Sequence, residues 1–268
     1  MNDPDVKLLI FIVLIAGLGG AVWYFWDDIR PQIDEMSTEQ SGLIVEERPE
    51  PREPIHPMPP VSSSHPTDGS LVSLPPLDES DRYFLLALVD VFGSELGQQL
   101  VNEALIDKFV ASIDNLTRSH VSENIRPVTR LYGNFGVEAI DGNDQFYLSQ
   151  LNYERYDLLV NLVGRADLDV VGEMYRRFYP LLQESYVRLG YPNGYFNDRV
   201  VEVIDHLLVT PIPAEPVYLV RPHVLYEFAD PDLEALSSGQ KLLLRMGDDH
   251  AARIKSVLSD FRALIVQQ

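Results

Sequence analysis

Three clusters in this chain carry side chains that could do chemistry. Asp248, Asp249 and His250 sit side by side and offer oxygen and nitrogen ligands of the kind divalent metals take. They also open an amphipathic stretch, and a helix N-terminus carries roughly half a positive charge, which favours acids and repels a cation. Helix initiation therefore explains the triplet better than a metal does. Glu202 and His206 are four residues apart, on one helix face opposite Val200, Val203 and Leu207. Two ligands make no site without a third and a fourth, so no metal is expected there. The third cluster is YPNGYFNDR (191–199). Tyr191, Asn193, Tyr195, Asn197, Asp198 and Arg199 crowd a Pro-Asn-Gly turn, and tyrosine and arginine are the residue types that dominate binding hot spots. This loop is the candidate binding surface. Its competitor is an interhelical connection with Asn197 as a cap and the tyrosines buried. If it binds, Tyr195→Ala and Arg199→Ala should weaken partner capture and leave the melting temperature nearly unchanged.

The elements that must hold these clusters are mostly helical. Acids at 78, 79 and 81 precede YFLLALVDVF (83–92), and Gly93-Ser94 restarts the chain into SELGQQLV and then NEALIDKFVASIDNL (102–116). VEAI and QFYL, around Asp141-Gly142, read as a short hairpin over 137–148, with a helix through 153–162 after it. Segment 167–190 shows one apolar face through Leu168, Val171, Tyr175, Phe178, Leu182, Tyr186 and Leu189, and Pro180 should kink or split it. Asn197 is the expected N-cap for 198–209. VYLV (217–220) and VLYEF (224–228) are β-prone, Asp230-Pro231 opens another helix, and the last helix starts near Asp248. It should turn Ile254, Val257, Leu258, Phe261 and Leu264 inward.

Ahead of this domain lies an uncharged apolar run, Leu8–Trp26. Its nineteen residues give about 28 Å of helix, close to the thickness of a bilayer core. It ends in Trp23, Tyr24, Phe25 and Trp26, an aromatic cluster suited to a membrane interface. Bulky aromatics and Asp27-Asp28 stand where a signal peptidase would need small residues, so a retained anchor is expected. Lys7 and the terminal amine place the amino terminus inside and the domain outside. Ala16 with Gly20, and Gly17 with Ala21, form small-xxx-small pairs through which two copies could associate weakly, although small residues are common in such helices anyway.

Residues 27–76 are rich in proline and acids and bury too little to fold, so a disordered spacer is expected. A proline-rich ligand for a partner domain is the alternative, but no PxxP with flanking basic residues stands out. The layout is thus a tail at 1–7, a single-pass transmembrane helix at 8–26, the linker at 27–76, and a mainly α domain with one or two small β-hairpins at 77–268. A formal net charge of -20, divided evenly between the first 79 residues and the rest, argues against nucleic-acid binding. The absence of cysteine excludes thiol nucleophiles and Cys-ligated metals. No nucleotide-binding loop, hydrolase elbow or zinc-protease motif is present, and no cofactor is expected.

Four stretches, PPLDESD (75–81), FVASIDNL (109–116), YRRFYPLLQESYVRLGYPNGYFNDRVVEVIDHLL (175–208) and LYEFADPDLEALSSGQKLLLRMG (225–247), resemble a bacterial family of membrane proteins known as domain of unknown function 3014. The resemblance implies a bacterial origin and the same layout of anchor, linker and domain; with the orientation expected from Lys7, the anchor would sit in the inner membrane and the domain in the periplasm. It implies no activity, cofactor or catalytic residue. Two functions emerge as expectations. The first is a tethered envelope module that binds another protein, without enzymatic activity. The second is a cell-wall polymer hydrolase, which needs two facing carboxylates in a cleft.

Overall fold

A computed structural model describes residues 53–58, 74–128, 135–140, 145–213, 216–223 and 225–266. The apolar run Leu8–Trp26, its aromatic cluster and its small-residue pairs lie outside these residues. Among the described residues no helix is long and apolar enough to cross a membrane.

The chain enters the fold through a 3-10 turn at Leu77–Glu79 and then α1, Asp81–Phe92, which buries Phe84, Leu88 and Phe92 at helical spacing. Gly93, at φ 89°, ends it and starts the single turn α2, Ser94–Gly97, so only half of SELGQQLV is helical. Helix α3, Leu105–Asn115, begins three residues later than expected, after Ala104 in the left-handed region. Its first turn is capped from a distance, because the amide of Ile106 donates to Asp81 at 3.0 Å.

Where one helix was expected over 153–162 there are two, α4 (Gln150–Glu154) and α5 (Asp157–Gly164). The break lets Tyr156 turn fully inward beside Leu159 and Val160. Helix α6, Leu168–Arg188, starts on the Asp167 side chain, which accepts from the amide of Asp169, and runs unbroken through Pro180. The expected split does not occur. The proline is on the exposed face, while Tyr175 and Phe178 before it and Leu181 and Leu182 after it bury into one core. That burial offsets the roughly 3 kcal/mol an interior proline costs. Leu189, expected on the apolar face, is exposed beyond the end of the helix.

Helix α7 is Phe196–Leu208, α8 is the short Pro231–Glu234 capped by Asp230, α9 is Ser238–Met246 and α10 is Asp248–Ile265. A capping box between Ser237 and Gln240 starts α9 as a helix separate from the one at Asp230-Pro231. Helix α10 is central. It buries Ile254, Leu258, Phe261 and Ile265 against α5, α6, α7 and α9, while Val257 and Leu264 are only half-buried.

The β elements merge into one antiparallel sheet in the order β1 (Val137–Ala139), β2 (Gln145–Leu148), β3 (Tyr218–Val220), β4 (Glu227–Phe228). Phe146 pairs with Leu219, which pairs with Phe228, so what read as separate hairpins is continuous. Leu148, Val217, Leu219 and Phe228 gather with Leu244 of α9 into a second, smaller core. The turn at Asp141-Gly142 lies outside the described residues.

Two pieces of the expected spacer are packed. Leu74 lies against the main core and Ser80 Oγ donates to the carbonyls of Pro75 and Pro76. Residues 53–58 also rest on the domain, with Met58 against the same core. Proline has already restricted these backbones, so ordering them costs less entropy than the composition suggests. The rest of 27–76 lies outside the described residues.

Gly239 fixes how α9 meets α3 and α7. Its amide donates to the Leu116 carbonyl at 2.9 Å. A Cβ there would stand 2.7 Å from Leu207 Cδ2 and 3.0 Å from that same carbonyl oxygen. Gly239→Ala is therefore expected to destabilise the fold by about 2 kcal/mol in urea unfolding, despite the gain in helix propensity of about 1 kcal/mol. A neutral result would show that the helices can separate at no cost.

Candidate functional site

The loop between α6 and α7 is built from below. Gly190, at φ 118°, lets the chain leave α6 where a side chain would be strained. Tyr191 then stacks on Tyr186 with ring centroids 4.6 Å apart and planes at 16°. Gln183 clamps both sides of the turn: its Nε2 donates to the Gly194 carbonyl at 2.8 Å, and its Oε1 accepts from the Phe196 amide at 2.8 Å. That amide is one of the orphan donors at the start of α7, so Gln183 fills the role expected of Asn197.

Asn197 itself lies two residues past the cap position, which Tyr195 takes, and is fully buried. Its Nδ2 donates to the Ile265 carbonyl at 3.0 Å and to the His56 carbonyl at 2.8 Å, and its Oδ1 accepts from the Tyr175 hydroxyl at 3.2 Å. Burial pushes the Tyr175 phenol well above its ordinary pKa, so it remains a donor.

Arg199 is also part of the framework. Its Nε donates to Asp114 Oδ1 at 2.9 Å, its Nη2 to the Asp114 carbonyl at 2.5 Å and to Thr117 Oγ1 at 2.7 Å, and its Nη1 pairs with Glu202 at 2.8 Å. Burial works against the guanidinium charge, but Glu202 and Asp114 more than reverse this and its pKa is raised. The Asp114 side chain is 3% exposed, and its second oxygen accepts from Arg118 and from the Tyr191 hydroxyl, each at 3.0 Å. Burial first, and the Asp114 charge next, push the Tyr186 phenol up to about 12. Arg199→Ala would leave the buried Asp114 carboxylate with only Arg118 and the Tyr191 hydroxyl, and should cost stability, contrary to the expectation from the loop's composition.

Of the six loop residues, Tyr191, Asn197 and Arg199 hold the framework, whereas Asn193, Tyr195 and Asp198, together with Arg199 and with Ile55 and His56 from the linker, line an open groove of 540 Å³. Asp114 and Gln183 do not stand out in the sequence as site residues. Asp114 does carry a signal, since it follows Val110 and Ala111 by four and three residues, spacings at which an apolar residue would continue the buried face.

The other two clusters separate. Asp248 and Asp249 occupy the first turn of α10 behind Gly247, while His250 turns back to the Met246 carbonyl at 3.1 Å and to Asp157 at 3.0 Å. Glu202 faces Arg199. His206 Nε2 lies 2.8 Å from Ser237 Oγ, its pKa lowered by burial and then by the Arg199 charge. Among the described residues no group of three or more histidine or acidic side chains is placed to hold a metal.

A family model described as "Protein of unknown function (DUF3014)" matches residues 105–262. The chain belongs to the DUF3014 family. No curated protein and no solved structure matches it. The DUF3014 match runs from the start of α3 into the last turns of α10, so it takes in Asp114, Gln183 and the whole 191–199 loop. Residues 53–58 lie outside it.

Proposed function

We propose that this chain is a membrane-tethered protein of the bacterial envelope whose DUF3014 domain is an interaction module, binding a partner protein along the groove beside Tyr195. The anchor is the Leu8–Trp26 helix, and the domain faces the periplasm. The observation that carries the reading is a pre-organised wall: Gln183 and the Asp114–Arg199 pair fix the loop from beneath, leaving the half-exposed Asn193, Tyr195 and Asp198 on an open groove. Rigid aromatic and polar contacts of this kind bind at low entropic cost.

The hydrolase reading has less support. The groove's acids are the exposed Glu53, on segment 53–58, and three on α7: Asp198 accepts two main-chain amides, Glu202 pairs with Arg199, and Asp205 forms a double hydrogen bond with Arg262. Carboxylates engaged this way are poor candidates for an acid and a base that must exchange protons with substrate.

The test is in-cell crosslinking from a photoreactive residue at position 195. It should capture a discrete envelope protein. Tyr195→Ala should weaken binding of that protein about thirtyfold, the effect of losing about 2 kcal/mol, and leave the melting temperature nearly unchanged. A variant that binds as tightly as the parent would remove the groove from the interface.

A further inference from the structure

The hexapeptide 53–58 forms one wall of the groove, through Glu53, Ile55 and His56, and is held to the domain through its main chain. Asp198 Oδ2 accepts from the Ile55 amide at 3.0 Å and Oδ1 from the His56 amide at 2.6 Å. In an extended strand, successive amides point to opposite sides, so one carboxylate can accept two in a row only where the chain bends. Residues 55 and 56 form such a bend. Pro54 and Pro57 bracket it and have no amide hydrogen, so Asp198 engages every main-chain donor between them. The buried Asn197 completes the grip by donating to the His56 carbonyl. Pro54, His56 and Met58 are half-buried, alternating with exposed Glu53, Ile55 and Pro57, and Ile55 is 78% exposed.

We infer that Asp198 and Asn197 form a clamp for the main chain of a bent, proline-bracketed P-x-x-P peptide, and that residues 53–58 occupy it in cis, so that a partner's segment must compete with the chain's own linker. This rests on the groove being the binding surface. The clamp reads the backbone and the proline spacing, and it leaves the first residue between the prolines to solvent. Charge-assisted bonds to Asp198 give it strength without a deep pocket. Only fifteen residues separate Met58 from Leu74. So short a connection gives an effective concentration on the order of millimolar. A weak cis ligand therefore keeps the Asp198 and Asn197 contacts beside the groove occupied until a better or more concentrated segment arrives.

The test uses the full chain in detergent micelles. Amide exchange at Ile55 and His56 should be slowed at least about tenfold relative to an unprotected proline-rich peptide, and Asp198→Ala should abolish the slowing. A second variant, with Ile55 and His56 both changed to proline, vacates the clamp without touching the domain. A labelled peptide spanning residues 50–61 should bind this variant at least about tenfold more tightly than the native chain, and adding Asp198→Ala should remove the binding. Unprotected amides in the native chain, protection that survives Asp198→Ala, or no peptide binding to the vacated chain would each overturn the clamp. Protected amides without capture from position 195 would keep the clamp and remove the interaction module. Capture with unprotected amides would do the reverse.

Discussion

Asp114→Ala is expected to lower stability by about 3 kcal/mol, or some 6–12 °C in melting temperature for a domain of this size. The carboxylate is buried and accepts from Arg199, Arg118 and Tyr191. Removing it leaves the Arg199 guanidinium, whose side chain is 14% exposed, with the exposed Glu202 as its remaining carboxylate partner and two neutral acceptors, the main-chain carbonyl of residue 114 and the Thr117 hydroxyl. An uncompensated buried charge is what makes breaking such a pair costly, more than the attraction lost. Changing Arg199 to methionine as well should therefore recover part of the loss. Stability of Asp114→Ala, Arg199→Met and the double variant in urea checks this. If the two single effects simply add, the residues are not coupled and the loop is held by packing alone.

Arg118 belongs to the same network but is half-exposed, 55% at its side chain. Its removal should cost less than that of Arg199, since its own charge is largely solvated and the buried Asp114 keeps Arg199 as a partner. That contrast makes Asp114–Arg199 the pair on which the loop's shape depends.

What is legible in the sequence is local. Asp230-Pro231 and Asp167 start helices through contacts two residues away, and the apolar faces of α6 and α10 repeat at helical spacing. The capping box at Ser237 and Gln240 is equally local, although the segment from Asp230 onward reads as a single helix without it. The break at Tyr156 and the continuity through Pro180 are not legible. Both are decided by which side chains find the core, a tertiary choice that outweighs propensity.

The site is half legible for the same reason. The density of tyrosine, asparagine and arginine marks 191–199, but whether each faces outward depends on distant partners. Arg199 meets Asp114, 85 residues away, and Asp198 meets Ile55, 143 away. Composition gives the correct residue types and cannot say that three of the six face inward. The proline-rich run misleads in the opposite direction. Prolines that preclude a helix or a sheet ladder also pre-order a short segment for docking, and only the position of Asp198 distinguishes docking from a spacer.

Asn197→Leu should be the other large loss, about 3 kcal/mol, although leucine has similar volume and suits a core. The Ile265 carbonyl is among the last of α10, where no helical amide reaches it, and Asn197 Nδ2 supplies the missing donor from inside the protein. Leaving a buried carbonyl unsatisfied costs about 1–3 kcal/mol, and the bond from the Tyr175 hydroxyl is lost as well. Tyr175→Phe removes that second bond while keeping the ring and the Asn197 donors, and should cost about 1 kcal/mol. Thermal unfolding of the two variants should therefore rank Asn197→Leu well below Tyr175→Phe. The same substitution removes the donor to His56, so segment 53–58 should loosen even at temperatures where the helices are intact. One amide thus ties the end of α10, the start of α7 and the docked linker together. If Asn197→Leu proved neutral, the Ile265 carbonyl would have to be satisfied by water, and the three elements would then be joined by packing rather than by this residue.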